Sequence, residues 1–249
     1  KILSILHNSN EVDFLKDHSI EGCIITENTC FYGESGGQVG DTGTIKSKNG
    51  EFLVSDTKKT PQGIFIHFGK LISGSMKVSE DVDLSINEER RSLIMKNHSA
   101  THLLHAALRN TLGNHVAQRG SLVNSEKLRF DFSHNKQISS EDINKIQDEV
   151  NSVIKTTSKS NIEIKSQEDA IKSGAIALFG EKYGDEVRVV TLGSKNDNPY
   201  SIELCGGTHV TDVTEISKFY IINEESVSSG VRRIEALTFN KVDEHLSLK

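Results

Sequence analysis

Two histidines are spaced so that one helix face can present both. His98 and His102 are four positions apart, and on an α-helix this spacing places both rings on one side about one turn apart. Two imidazoles in that arrangement can bind one divalent metal ion. The pair is weak support by itself, because many helices with several histidines bind no metal.

A second pair of metal-binding residue types lies much further along the chain. Cys205 and His209 are also four positions apart, with Gly206 and Gly207 between them. The glycines indicate a turn rather than a helix, and a turn can direct a thiolate and an imidazole to one point. Together the two pairs supply three histidines and one cysteine, which predicts a bound zinc ion.

His105 is a rival ligand in the same predicted helix. It follows His102 by three positions and His98 by seven, so it lies on nearly the same stripe of the helix surface. Because Cys205 and His209 already complete a set of four, we expect His105 to be a buried neighbour of the site rather than a ligand.

The segment 33–43 is rich in glycine but matches no phosphate-binding motif. It lacks the GxxxxGK[ST] pattern, and it does not form a turn that opens a helix. We therefore expect no nucleotide site here. The segment is interpreted as a tight connection between two strands, with a loop that covers a substrate entry or contacts RNA through its amides as the alternative.

The first part of the chain, 1–87, predicts short strands. Four apolar runs bounded by glycine or polar residues carry this prediction, namely 22–25, 43–46, 51–54 and 64–68. Asn49-Gly50 predicts a hairpin with a type I′ turn, which needs positive φ at both central residues. Short strands at this spacing indicate a small β-barrel.

The second part, 88–249, predicts a mixture of helices and strands. Residues 88–112 contain no glycine or proline and repeat apolar residues at helical spacing, so we expect a long helix that stops at Gly113. A second helix is expected to begin at Ser139 or Ser140 as N-cap. Strand-like runs surround these helices, which predicts an α+β sandwich. The runs are 128–132, 162–164, 187–190, 219–222 and 231–237.

The composition excludes several classes of protein. The 249 residues carry 29 basic and 35 acidic side chains, a net charge of −6, which argues against a surface that binds nucleic acid everywhere but allows a local basic patch. No apolar run approaches the ~20 residues that span a bilayer, and no secretory signal begins the chain. The first residue is not Met, so we expect a piece of a longer protein.

The cysteines indicate a reducing compartment. Cys23, Cys30 and Cys205 are too few and too scattered for a disulfide framework in a chain of this length, which favours the cytoplasm. Cys23 and Cys30 have no histidine pattern near them. We interpret both as small buried apolar residues.

Several motifs in a fixed order resemble the editing region of alanyl-tRNA synthetase. They cover most of the chain, from about residue 21 to 237. The motifs are FYGESGGQVGDTG at 31–43, HSATH at 98–102, HVAQRGSLV at 115–123, LRFDFSH at 128–134, ALFGEKY at 177–183, CGGTH at 205–209 and GVRRIEA at 230–236. One departure is Phe239, which stands where a glycine is usual in that family.

The resemblance implies a small β-barrel followed by a mixed α/β zinc-binding domain that hydrolyses tRNA(Ala) wrongly charged with serine or glycine. It implies Zn²⁺ as the metal and the acceptor end of tRNA(Ala), together with the remainder of a synthetase chain, as partners. The implied zinc ligands are His98, His102, Cys205 and His209, and the implied residues of the editing pocket are Gln118 and Thr101, our candidate catalytic positions.

The chemistry of alanine selection agrees with that assignment. A pocket that selects alanine cannot exclude glycine by size and cannot strongly reject serine, so a second hydrolytic site is needed. Thr101 and Gln118 offer polar groups for the seryl hydroxyl. Four protein ligands fill a tetrahedral zinc site, so we expect zinc to orient the substrate while water is positioned separately.

Five basic residues are candidates for a local RNA-binding patch. The alternative for each is a solvated or structurally paired side chain. The candidates are Arg119, Lys127, Arg129, Arg232 and Arg233.

Four other functions compete with a synthetase fragment. A free-standing alanyl-tRNA editing protein has the same chemistry, whereas the editing domain of threonyl-tRNA synthetase lacks a segment like ESGGQ at 34–38. A zinc module that only binds the acceptor stem would show no turnover. A zinc peptidase is disfavoured because HSATH has no glutamate where HExxH places its general base.

Overall fold

A computed structural model describes residues 1–8, 10–16, 18, 21–156, 159–177, 184–195 and 198–248. The described residues group into two compact units. Unit 1 comprises Lys1–Ser35 and Val39–Arg91, and unit 2 comprises Gly36–Gln38 and the chain from Ser92 onward. The division into domains 1–87 and 88–249 stays a prediction, because this grouping does not test whether either part folds alone.

Unit 1 is built from antiparallel strands. The strands are β1 (Ile2–His7), β2 (Asn10–Val12), β3 (Phe14–Leu15), β4 (Gly22–Thr26), β5 (Gly43–Lys46), β6 (Gly50–Lys59), β7 (Phe65–Gly74), β8 (Met76–Lys77) and β9 (Asp83–Ile86). Seven of them form one sheet in the order β2-β1-β4-β7-β6-β5-β9, and β3 pairs with β8. The predicted strands β4, β5, β6 and β7 are confirmed.

The predicted closed barrel is not confirmed. Within the described part of unit 1, no pairing joins β2 to β9, so the large sheet remains open. These two edge strands have only three and four residues, which leaves little backbone for closure. The core of unit 1 lies against the sheet and includes Ile24, Ile45, Phe52 and Leu71.

The hairpin at Asn49-Gly50 is confirmed, but its predicted type I′ turn is wrong. Strand β5 ends at Lys46, opposite Glu51, and neither Asn49 nor Gly50 has positive φ. The hydroxyl of Ser47 accepts hydrogen bonds from the backbone N–H groups of Asn49 and Gly50, each at 3.1 Å. A side-chain-stabilised loop of this kind removes the need for left-handed residues.

The prediction that Cys23 and Cys30 are buried is also wrong. Cys23 is half-buried and Cys30 is exposed. The next residue, Phe31, is buried in the core of unit 1, so the neighbouring thiol lies on the solvent side.

Unit 2 contains two long helices in the predicted places. Helix α1 spans Glu88–Leu112, and Gly113 follows it with φ +114°, a left-handed conformation that favours glycine. Helix α2 spans Ser140–Ile154, and the N-cap Ser139 accepts a hydrogen bond from the backbone N–H of Asp142. Short helices α3 (Gln167–Lys172) and α4 (Asn240–Ser247) complete the α-helices of the described residues, and a 3₁₀-helix spans Val213–Ile216.

Two antiparallel sheets accompany these helices. The strands are β10 (Gln118–Val123), β11 (Leu128–Ser133), β12 (Asn161–Ser166), β13 (Glu186–Lys195), β14 (Asn198–Leu204), β15 (Phe219–Ser228) and β16 (Val231–Thr238). Their orders are β10-β11-β16-β15 and β12-β13-β14. A core of residues from α1, α2 and both sheets, including Leu104, Phe130, Val150 and Leu192, confirms the α+β class.

No helix among the described residues combines the length and apolar character needed to cross a bilayer.

Candidate metal centre

Four side chains of unit 2 meet at one buried point. The ligand cluster, which we define as His98, His102, Cys205 and His209, places one nitrogen or sulfur atom of each residue within 4.8 Å of all the others. All four residues are buried. The two predicted donor pairs therefore converge, and the cluster could hold a metal ion.

Helix α1 and the loop after β14 position the cluster. His98 and His102 lie one turn apart on α1, and their rings stack with centroids 5.1 Å apart. Cys205 directly follows β14, and the two glycines turn the chain so that His209 faces the thiol, with its Nε2 3.4 Å from Sγ. A Cβ at Gly207 would lie 2.0 Å from Cε1 of His98, so only glycine fits there.

Each histidine of the cluster has its Nδ1 held by a different residue. Nδ1 of His98 is 2.7 Å from Oε1 of Gln38, and Nδ1 of His102 is 2.6 Å from Oε2 of Glu203. Nδ1 of His209 is 3.3 Å from the hydroxyl of Ser99. Partners on Nδ1 leave Nε2 available to a metal ion, as is usual for histidine ligands.

One nitrogen of the cluster is buried and has no partner. Among the described residues, no group hydrogen-bonds to Nε2 of His102. A buried polar atom left in this state is unfavourable unless something else satisfies it. The soft and borderline donors around it fit a metal ion such as zinc.

The charges around the cluster favour a thiolate. Burial alone raises the pKa of the Cys205 thiol, but the adjacent His98 and His102 outweigh burial and hold this pKa well below its usual value. For His209, burial lowers the pKa to about 3, which keeps this ring neutral. A thiolate and a neutral imidazole are the forms that bind metal.

Glu203 was not predicted as part of the site. It lies on β14 two residues before Cys205 and is 2% exposed. Burial raises its carboxyl pKa, but His102 and His105 outweigh burial and bring this pKa to about 2. The sequence offered one signal for this role, a glutamate between two apolar residues at the end of a strand, close to the candidate ligand Cys205.

His105 lies beside the cluster, not in it. Its Nδ1 is 2.7 Å from Oε1 of Glu203, and its ring packs against Phe130 with centroids 5.2 Å apart.

Gln38 was also missed, and it comes from the glycine-rich segment. It is fully buried. Its Oε1 accepts from Thr208 N–H at 2.9 Å as well as from His98, and its Nε2 donates to the Thr208 hydroxyl at 2.9 Å. Gly37 before it has φ +84°, and a Cβ there would lie 2.7 Å from the carbonyl oxygen of Ser121. This part of the segment therefore supports the cluster.

The two candidate pocket residues occupy different elements. Thr101 is buried on α1, and its hydroxyl donates to the carbonyl of Asn97 at 2.8 Å. Gln118 begins β10 opposite Phe132 and is half-buried. Within the described part of the chain, no hydrogen-bond partner is found for the Gln118 side-chain amide.

Ion pairs are seen for Lys127, Arg129, Arg232 and Arg233. Arg233 binds both carboxylate oxygens of Asp131, at 2.7 and 2.9 Å. Arg129 also approaches Asp131, at 3.6 Å. The remaining pairs are Lys127 with Glu235 at 2.5 Å and Arg232 with Glu224 at 2.6 Å. Arg119 is exposed at an irregularity of β10.

Arg232 and Arg233 lie on opposite faces of their sheet. Arg232 is opposite the core residue Phe132, whereas Arg233 is opposite Asp131. Directly opposed residues of an antiparallel pair share a face, and consecutive residues alternate. The five candidates therefore do not form one continuous patch.

The motif at 177–183 lies outside the described residues except for Ala177.

Two family models match the chain. The model for class II (A) tRNA synthetases matches residues 1–90, and the model for the threonyl and alanyl tRNA synthetase second additional domain matches residues 187–235. The second match includes Glu203 and Cys205.

Similar curated proteins carry the name alanine–tRNA ligase. The chain is 51% identical to that of Chelativorans sp. over 223 residues, 88% of this chain and 25% of the relative. It is 49% identical to that of Mesorhizobium japonicum, over 90% of this chain and 26% of the relative, and 48% identical to that of Parvibaculum lavamentivorans, over 96% and 27%. The chain thus spans about a quarter of the length of these relatives.

Proposed function

The chain belongs to the alanyl-tRNA synthetase family, and on that premise we propose that it hydrolyses the aminoacyl ester of tRNA(Ala) wrongly charged with serine or glycine. The observation that carries the proposal is the buried ligand cluster, with the Nδ1 atom of each histidine held by another residue. Such fixed orientation is typical of a site prepared for a metal ion.

In the proposed reaction, water attacks the ester carbonyl and the bond from the acyl carbon to the ribose oxygen breaks. The amino acid leaves with the hydroxyl oxygen of water, and the ribose oxygen takes a proton. The ligand cluster would hold Zn²⁺, which when bound would supply a positive charge to orient or polarise the aminoacyl group. The protein residues fix the position of that charge and exclude bulk water from it.

In this proposal, Thr101 and Gln118 make the site hydrolyse the seryl ester faster than the alanyl ester. The Thr101 hydroxyl donates its hydrogen bond to the Asn97 carbonyl, so the hydroxyl oxygen can still accept a hydrogen bond from the seryl hydroxyl. The Gln118 amide has both a donor and an acceptor to offer. A buried polar group left unpaired by alanyl substrate costs about 1–3 kcal/mol, which corresponds to one or two orders of magnitude in rate.

The partners that follow from this function are the acceptor end of tRNA(Ala) and, in cis, the remainder of a synthetase. An activity that edits aminoacyl-tRNA is expected in the cytoplasm, in line with the few scattered cysteines. Two of the five basic candidates for contact with RNA, Arg129 and Arg233, share the Asp131 face of the sheet. The other three candidates are Arg119, Lys127 and Arg232.

A side-by-side deacylation assay tests the proposal. Seryl-, glycyl- and alanyl-tRNA(Ala) are incubated with the chain and with Cys205→Ser. Multiple turnovers on the seryl and glycyl forms, slow hydrolysis of the alanyl form and loss of turnover in the variant are expected. Stoichiometric binding without turnover would identify an RNA-binding module instead.

A further inference from the structure

The Glu203 carboxylate lies between two histidines of α1. Its Oε2 is 2.6 Å from Nδ1 of His102, and its Oε1 is 2.7 Å from Nδ1 of His105. All three side chains are at least nine-tenths buried. An ionised carboxylate only accepts hydrogen bonds, so both imidazoles donate from Nδ1.

A carboxylate presents one oxygen to each of the two rings, so it can accept from both at once. A glutamine in its place would present one oxygen and one NH₂ group. The ring facing the NH₂ group would have to accept at Nδ1 and carry its proton on Nε2. If that ring were His102, its Nε2 could not bind a metal ion.

We propose that Glu203 is a positioning residue that sets the tautomer of His102 for metal binding and holds His105 outside the ligand cluster. The inference rests on the proposed function, because it takes the cluster to bind zinc. Glu203 fixes one ring toward the metal, while the other ring is held between Glu203 and Phe130. This accounts for the different roles of two histidines on one helix stripe.

The affinity for Zn²⁺ in competition with a chromophoric chelator tests the proposal. We expect Glu203→Leu, which offers no acceptor to His102, to bind Zn²⁺ about 10–100-fold more weakly than the wild type, the usual effect of losing a residue that orients a ligand. His105→Asn, the control, should bind nearly as well, because the introduced side-chain amide can still donate to the carboxylate.

Glu203→Gln separates the hydrogen bond from packing. The introduced glutamine can turn its oxygen toward His102 and its NH₂ group toward His105, whose ring then accepts at Nδ1. We therefore expect Glu203→Gln to keep most of the affinity that Glu203→Leu loses. Equal weakness of the two variants, or wild-type affinity in Glu203→Leu, would overturn the proposal.

Further measurements distinguish failure of the role of Glu203 from failure of the proposed function. If Glu203→Leu does not fold, long-range ¹H–¹⁵N spectra of the zinc-loaded wild type with labelled histidine report the tautomer directly, and a proton on Nε2 of His102 would overturn the proposal. Failure of the wild type to bind Zn²⁺ would contradict the proposed function itself. Zinc binding and deacylation by the wild type, with no defect in Glu203→Leu, would contradict only the role of Glu203.

Discussion

Gln38 and His98, sixty positions apart, are joined by a hydrogen bond of 2.7 Å between Oε1 and Nδ1. The same oxygen accepts from the backbone N–H of Thr208. One amide from the glycine-rich segment thus links the helix ligand to the loop that carries the other two donors.

Replacing Gln38 with leucine should weaken zinc binding by about 10–100-fold, because His98 loses the acceptor that orients its ring. Chelator competition measures the effect. Gln38→Glu is the matched control, since a carboxylate still accepts from His98 and Thr208. Equal affinities of the leucine variant and the wild type would show that the hydrogen bond does not orient the ligand.

The purified chain should carry close to one zinc ion, and Cys205→Ser or His209→Ala should empty the site and abolish deacylation. Elemental analysis and the seryl-tRNA assay check this. Cys30→Ser is the control, because Cys30 is exposed and outside the ligand cluster. Full activity in metal-free wild type would contradict the expectation.

Thr101→Val and Gln118→Leu should reduce the ratio of serine to alanine hydrolysis by about 10–100-fold, the effect of one buried hydrogen bond of 1–3 kcal/mol. Zinc content should not change, since neither residue is in the ligand cluster. Parallel losses on both substrates would mark these residues as supports of the site. An unchanged ratio in both variants would leave the discrimination to other residues.

Alanine substitution of a residue that contacts RNA phosphate should lower the slope of log affinity against log salt by about 0.9 for a duplex stem. Arg232 and Arg233 lie on opposite faces of the sheet, so we expect at most one of these two variants to change the slope. Salt titrations of tRNA binding measure it. A reduced slope in both variants would mean that RNA contacts both faces.

Phe239→Gly should raise the free energy of unfolding by about 1–3 kcal/mol, the usual cost of a strained backbone conformation. Phe239 has φ +52° and ψ −135°, a region natural to glycine, which explains why glycine is usual at this position. Urea unfolding followed by circular dichroism measures the gain. Phe239→Ala is the control, because alanine keeps the Cβ atom and the strain. Equal stability of the two variants would refute the strain.

Elements whose signals are local can be predicted from the sequence alone. Helix α1, its end at Gly113 and the Ser139 cap depend on side-chain periodicity and on residues within one turn. The types and spacing of the four cluster residues are likewise local, so residue order alone identifies both donor pairs. Strand β1 was missed because an irregularity between Ile2 and Ser4 interrupts its alternation.

The surroundings of these elements depend on the tertiary fold. Gln38, Ser99 and Glu203 come from three separate segments, and no sequence spacing indicates that each one meets a histidine Nδ1. The open sheet of unit 1 and the opposite faces of Arg232 and Arg233 depend on strand order and register. A residue type fixes which hydrogen bonds a side chain can make, but long-range packing determines which partner it meets.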